Sequence, residues 1–293
     1  MRVLLAYIGV VLLWATTPLA IKWSGEGPGF LFGVTGRMSI GGVCMLLLLL
    51  MLRRPLVWHK QARKTYFAVA LQIYGAMVCV YWGAQFIPSG WISVLFGLTP
   101  LMTALLAALW LGERSLAWGK IAAYFFGISG LSIMFGSALQ LGRSAVLGMT
   151  AVLLAAFLQS ASAVWVKRIG AKIPALSQVA GGLLFAVPVY WISWFWADAH
   201  WPVDVSGKAL FSIVYLGVVA TTAGFAMYYY ILTRLSATRV ALITLVSPVL
   251  ALFLGHFINQ EPVSSKVVAG TLLILSALLL HEFAERRGKL KSS

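Results

Sequence analysis

Short polar interruptions divide this chain into apolar stretches about as long as a bilayer is thick. A hydrocarbon core of about 30 Å takes roughly 20 residues of α-helix. That template fits ten segments, at residues 3–22, 29–52, 65–87, 89–111, 118–137, 145–167, 175–197, 208–233, 237–259 and 264–283. The pattern predicts an all-α membrane protein of ten transmembrane helices.

The segments repeat. Moving residues 229–261 back by 148 positions lays Tyr229 on Tyr81, Pro248 on Pro100, Leu254 on Leu106 and Glu261 on Glu113. At an offset of 145, Trp14 meets Gln159, Thr17 meets Ser162 and Lys22 meets Lys167. The polar patch Gln140 to Ser144 then separates two five-helix halves, 1–139 and 145–284, followed by a basic tail, 285–293. An odd number of spans per half inverts the second repeat in the membrane, and the place for function is between the halves.

Composition agrees with this picture: 61% of residues are hydrophobic, 10% are charged, and the mean hydropathy is +0.94. The net charge of +15 would suggest nucleic acid in a soluble protein. Here the basic residues fall on alternate loops, so no nucleic-acid partner is expected. One side collects Arg2, the Arg53 to Lys64 cluster, Arg114, Lys120, Lys167, Arg168, Lys172, Arg234, Arg239 and the C-terminal tail, seventeen in all. The other keeps Lys22, Arg143, Lys208 and Lys266. Positive charge stays inside, which puts both termini in the cytoplasm of an inner-membrane protein. Arg2 and the apolar run after it imitate a leader peptide, but no small-x-small cleavage site follows, and the run reads as a retained helix. Cys44 and Cys79 lie inside spans as packing residues. Trp58, Trp91, Trp118, Trp165, Trp194, Trp196 and Trp201 fall near span ends, where an interfacial aromatic belt is expected, with Trp91 and Trp165 the first candidates for exceptions.

Polar residues in hydrocarbon are costly, so a polar stripe within a span points to a cavity. Tyr74, Tyr81 and Gln85 share one face of the third span at i, i+7 and i+11. Their counterparts 148 positions on are Thr222, Tyr229 and Thr233. Thr99 pairs with Ser247 and Phe96 with Thr244 in the fourth and ninth spans, and the first and sixth add Trp14, Thr17, Gln159 and Ser162. Pro100 and Pro248 each remove a backbone donor near mid-span. Arg37 stands about 12 Å into its helix. It either snorkels or bonds helix-end carbonyls as a structural residue, or clamps a carboxylate.

The run Trp14-Ala15-Thr16-Thr17-Pro18-Leu19-Ala20-Ile21-Lys22, Arg37, Pro100 with Leu111-Gly112-Glu113-Arg114, Tyr229, Arg234-Leu235-Ser236-Ala237, Ser247-Pro248 and Glu261-Pro262 resemble the drug/metabolite transporter superfamily, specifically the ten-helix exporters with two EamA-type domains. Two departures are Gln159 in the place of Trp14, and Gln260-Glu261 in the place of Gly112-Glu113. The resemblance implies a central cavity lined by spans one, three, four, six, eight and nine. It also implies export of small neutral or zwitterionic metabolites, with amino acids and related compounds the leading class. Carriers of lipid-linked substrates or nucleotide sugars in the same superfamily are the alternative.

The acids sharpen the expectation. Glu26, Glu113, Asp198, Asp204, Glu261, Glu282 and Glu285 all fall at or near span ends, leaving only His256 and Arg37 as charged or titratable groups well inside spans. Proton exchange usually places an ionisable residue in the membrane interior, so transport by alternating access is expected to run downhill. Scattered histidines and the lack of G-x-S-x-G or H-E-x-x-H argue against an intramembrane enzyme. No catalytic residue, metal or cofactor is expected. The expected partners are the small substrate and the lipid bilayer, with the chain a monomer or weak dimer.

Overall fold

The computed structural model describes residues 2–113, 118–197, 199–232, 234–235 and 237–290, and their side chains except at 118, 229, 232, 237–242 and 286–290. The first half comprises α1 (Arg2–Gly25), α2 (Phe30–Met51), α3 (Lys60–Ala84), α4 (Ser89–Leu111) and α5 (Trp118–Leu141). The second comprises α6 (Arg143–Ile169), α7 (Ala175–Ala197), α8, α9 (Ala237–Asn259) and α10 (Ser265–Leu290). Helix α8 is built from Gly207–Val214, Tyr215–Ala223 and Gly224–Leu232 in succession. The linker between halves is shorter than its polar composition implies: Gly142, at φ 111°, is the single residue between α5 and α6. The basic C-terminal stretch continues α10 as far as Leu290.

In lipid every backbone polar group must be satisfied within the chain, which is why the apolar segments are helices. Leu47, Leu50, Leu109, Phe125 and Phe195 turn outward, as residues facing acyl chains should. The two halves interlock rather than sit side by side. Helix α1 packs on α9 and α8, and its image α6 packs on α4 and α3. Helix α2 packs on α7 and α8, while α7 packs on α2 and α3. The remaining partnerships, α4 with α9 and α5 with α10, map onto themselves under the repeat. This is the ten-helix architecture of two inverted five-helix repeats.

Three irregularities also obey the repeat. Helix α3 passes through a π-helical stretch at Leu71–Ala76, and α8 through one at Tyr215–Ala223. After the 148-residue shift these stretches overlap. Gly112 ends α4 in the left-handed region at φ 68°, and Gln260, its image after α9, takes φ 52°. The turn is therefore retained where the glycine is not, at the steric cost of a Cβ in that region. Finally, Lys22 pairs with Glu261 at 3.4 Å and Lys167 with Glu113 at 2.5 Å. Each bridge ties one half to the other, and the two lie at opposite ends of the bundle because odd and even spans run in opposite directions.

The ends differ in burial. Glu261 is 6% exposed, and its carboxylate also accepts from Ser89 N at 2.7 Å, Ser89 Oγ at 2.8 Å and Asn259 Nδ2 at 2.8 Å. Lys22 Nζ donates as well to the Ile87 carbonyl at 3.1 Å. Lys167 and Glu113 are 61% and 46% exposed. Trp91, one of the two candidate exceptions to the aromatic belt, is buried, and the belt needs correction at Trp194, which is buried as well and packs edge-on against Phe32, Trp191 and Trp201. Trp58, Trp165, Trp196 and Trp201 are exposed, and the Trp118 side chain lies outside the described residues.

Candidate functional site

A cavity of about 430 Å³ lies between the halves. Helix α1 contributes Trp14, Thr17, Pro18 and Ile21; α4 contributes Ile92, Ser93, Phe96, Gly97, Thr99 and Pro100. From the second half come Gln159 of α6, Thr221, Phe225 and Tyr228 of α8, and Thr244, Ser247 and Pro248 of α9. Beyond the six helices implied by the resemblance, α2 adds Arg37 and Met38, and α7 adds Val179 and Leu183. Trp14 and Tyr228 meet at one wall with ring centroids 5.1 Å apart.

The structure brings Trp14, Thr17, Arg37, Thr99, Gln159, Thr244 and Ser247 together at this cavity. Thr17 Oγ1 bonds its own helix at Leu13 O, 2.5 Å away. The buried hydroxyls of Thr99 and Ser247, each directly before a proline, have no hydrogen-bond partner among the described residues. Pro100 has no amide hydrogen to offer the Phe96 carbonyl four residues earlier. Arg37, Gln72, Ser93, Gln159, Thr221 and Thr244 add further polar groups to a largely apolar and aromatic lining, which contains no Asp, Glu or His.

Five candidates are placed differently. Tyr74 turns to α7, its hydroxyl 2.6 Å from Ser193 Oγ and its ring 4.9 Å from that of Tyr190. Tyr81 is 1% exposed within the main hydrophobic core. Gln85 sits at the end of α3, with Nε2 donating to Trp82 O at 3.2 Å. Ser162 bonds Ala68 O on α3 at 2.7 Å, and Thr222 bonds Gly217 O at 3.3 Å. The side chain of Tyr229 lies outside the described residues. On α3 and α8 the physical reason is the π-helix. A 3.6-residue period carried through a wider turn assigns the wrong face, so Gln72, Ile73, Met77 and Val80 of α3, and Thr221 rather than Thr222 of α8, reach the cavity. Ser93, Gln72, Thr221, Phe225 and Tyr228 were not among the candidates, and a periodicity signal could not have found the π-helical ones.

Arg37 is 8% exposed. Its Nε lies 3.5 Å from Thr221 Oγ1, a hydroxyl that itself donates to Leu216 O at 2.8 Å. Its Nη1 has no hydrogen-bond partner among the described residues. His256, read from the sequence as lying well inside a span, stands exposed in the last turn of α9, its Nδ1 2.9 Å from the Glu261 carbonyl oxygen. Among the described residues no group of three or more His, Cys, Asp or Glu could hold a metal ion.

Comparison with known proteins places this geometry. An uncharacterized transporter of Bacillus subtilis, YoaV, is 28% identical over 98% of this chain and 99% of its own. A probable terminal-alkyne amino-acid exporter of Streptantibioticus cattleyicolor is 28% identical over 92% and 93%. A probable amino-acid metabolite efflux pump of Escherichia coli is 25% identical over 68% and 69%. A solved crystal structure superposes over 98% of both chains with a TM-score of 0.66 at 23% identity, which speaks for the fold. The EamA-like transporter family matches residues 1–136 and 146–281, so this multi-pass membrane protein, with its cavity between two interlocked repeats, belongs to the EamA-like transporter family.

Proposed function

We propose that the protein exports small neutral or zwitterionic metabolites, amino acids and related compounds foremost, across the cytoplasmic membrane by alternating access at the central cavity. The observation that carries this reading is the cavity itself: both repeats line it, and its volume lies within the range of about 300–1,000 Å³ usual for small-molecule sites. The exporter names of two relatives support the substrate class. A nucleotide sugar would call for several cations around its diphosphate, and the lining has one, Arg37. With no carboxylate or imidazole in that lining, transport follows the substrate gradient.

The test is counterflow in proteoliposomes. Preloaded amino acid should drive uptake of labelled amino acid, and an imposed pH gradient should leave the final accumulation unchanged. Proton-driven accumulation would overturn the downhill mechanism, and absence of exchange with any amino acid would overturn the substrate class.

Orientation is a separate prediction. Reporter fusions after Lys60 and Lys172 should read cytoplasmic and those at Ser89, Gly142 and Ser264 external, since the charge bias sets topology. Opposite readings at Lys60 and Lys172 would rule out two inverted five-span halves.

A further inference from the structure

Arg37 is a permanent charge inside the protein, at the wall of the cavity. A snorkelling arginine carries its guanidinium to the membrane surface, but Arg37 is 92% buried at the cavity wall. An arginine that caps a helix bonds carbonyl oxygens, yet among the described residues its one hydrogen-bond partner is the Thr221 hydroxyl, 3.5 Å away. Nη1 bonds nothing, and no carboxylate pairs with the side chain among the described residues. A guanidinium offers five N–H donors in a planar fork suited to a carboxylate. A buried charge left unpaired is strongly destabilising. An anion arriving in the cavity would relieve that cost.

The rest of the wall is complementary to such a ligand. Thr99 and Ser247 offer unengaged hydroxyl oxygens, and Trp14 and Tyr228 offer aromatic faces, both of which can receive an ammonium group without a protein carboxylate. We infer that Arg37 is the anion pole of the cavity and that the transported metabolite must carry a carboxylate. Plain amines, amides and sugars are thereby excluded. This narrows, and rests on, the metabolite-export reading above.

The experiment compares wild type with Arg37→Gln and Arg37→Lys as full-length purified protein, by thermal shift with and without ligand. The probes are amino acids, the corresponding amino-acid amides, and the amines that lack the carboxyl group. Wild type should be stabilised by acids and not by the matched amides or amines. Arg37→Gln should bind the acids at least about tenfold more weakly, with Arg37→Lys intermediate because a lysine keeps the charge without the fork. Without ligand, Arg37→Gln should melt at or above the wild-type temperature, because it removes an uncompensated buried charge. A lower ligand-free melting temperature, or failure to fold, would make the arginine structural and overturn the inference. So would amides or amines that stabilise as well as acids, or unchanged acid binding in Arg37→Gln. If no probe shifts wild type, the amino-acid reading falls separately, and the ligand-free comparison alone decides the role of Arg37.

Discussion

Glu261→Gln is expected to destabilise the folded protein by about 2–3 kcal/mol. Breaking a buried ion pair costs about 3–5 kcal/mol, and the 23% exposure of Lys22 reduces that by letting its ammonium regain some water. The chemistry explains why glutamine is not a neutral replacement. Both carboxylate oxygens face donors only: Ser89 N and Oγ on Oε2, Lys22 Nζ and Asn259 Nδ2 on Oε1. An amide presents one oxygen and one NH₂, so one side of the site then opposes donor to donor. Glu113→Gln is the internal control. Its bridge to Lys167 is about half solvent-exposed and should be worth about 0–1 kcal/mol. Thermal melts of the two variants in one detergent, set against wild type, decide the matter. Equal losses would mean that burial does not distinguish the two ends.

The contrast between these bridges shows what the sequence could and could not convey. The offsets already equated Lys22 with Lys167 and Glu113 with Glu261, but nothing in them revealed that the equivalents pair crosswise. That follows from the packing of α1 on α9 and α6 on α4. The ten spans were legible because lipid imposes a length and an apolar composition that few other structures share. Thr99 and Ser247 were legible because their prolines mark the same place in each repeat. Tyr74 and Thr222 were not, because π-helical turns are set by tertiary packing and leave no periodic trace in the sequence. Trp194 carries the same lesson for burial. A tryptophan near a span end fits an interfacial belt, and only the neighbouring rings of Phe32, Trp191 and Trp201 show it enclosed.

Gly90→Val should abolish export by forcing α4 and α9 apart at the end where Glu261 joins the two halves. At Gly90, in the first turn of α4, an added Cβ would stand 2.7 Å from Leu252 Cα and 3.0 Å from Leu252 N of α9. These are backbone atoms, and no rotamer change can move them aside. The helices must part, and overpacking of this kind costs about 1–3 kcal/mol. The adjacent Ser89 supplies two of the hydrogen bonds to Glu261, so separating α4 from α9 also loosens that site. Ser93, one turn further along α4, lines the cavity and can report the change. In a Ser93→Cys protein also carrying Cys44→Ala and Cys79→Ala, Gly90→Val should raise labelling by a membrane-impermeant maleimide at least tenfold, on the order of 1.4 kcal/mol in the opening equilibrium. The label is applied from the face proposed as external. Gly136→Ala is the matched control, because a Cβ there meets no atom within 4 Å, and it should leave both export and labelling at the starting level. Normal export with unchanged labelling in Gly90→Val would show that α4 and α9 need not close at this end during the transport cycle.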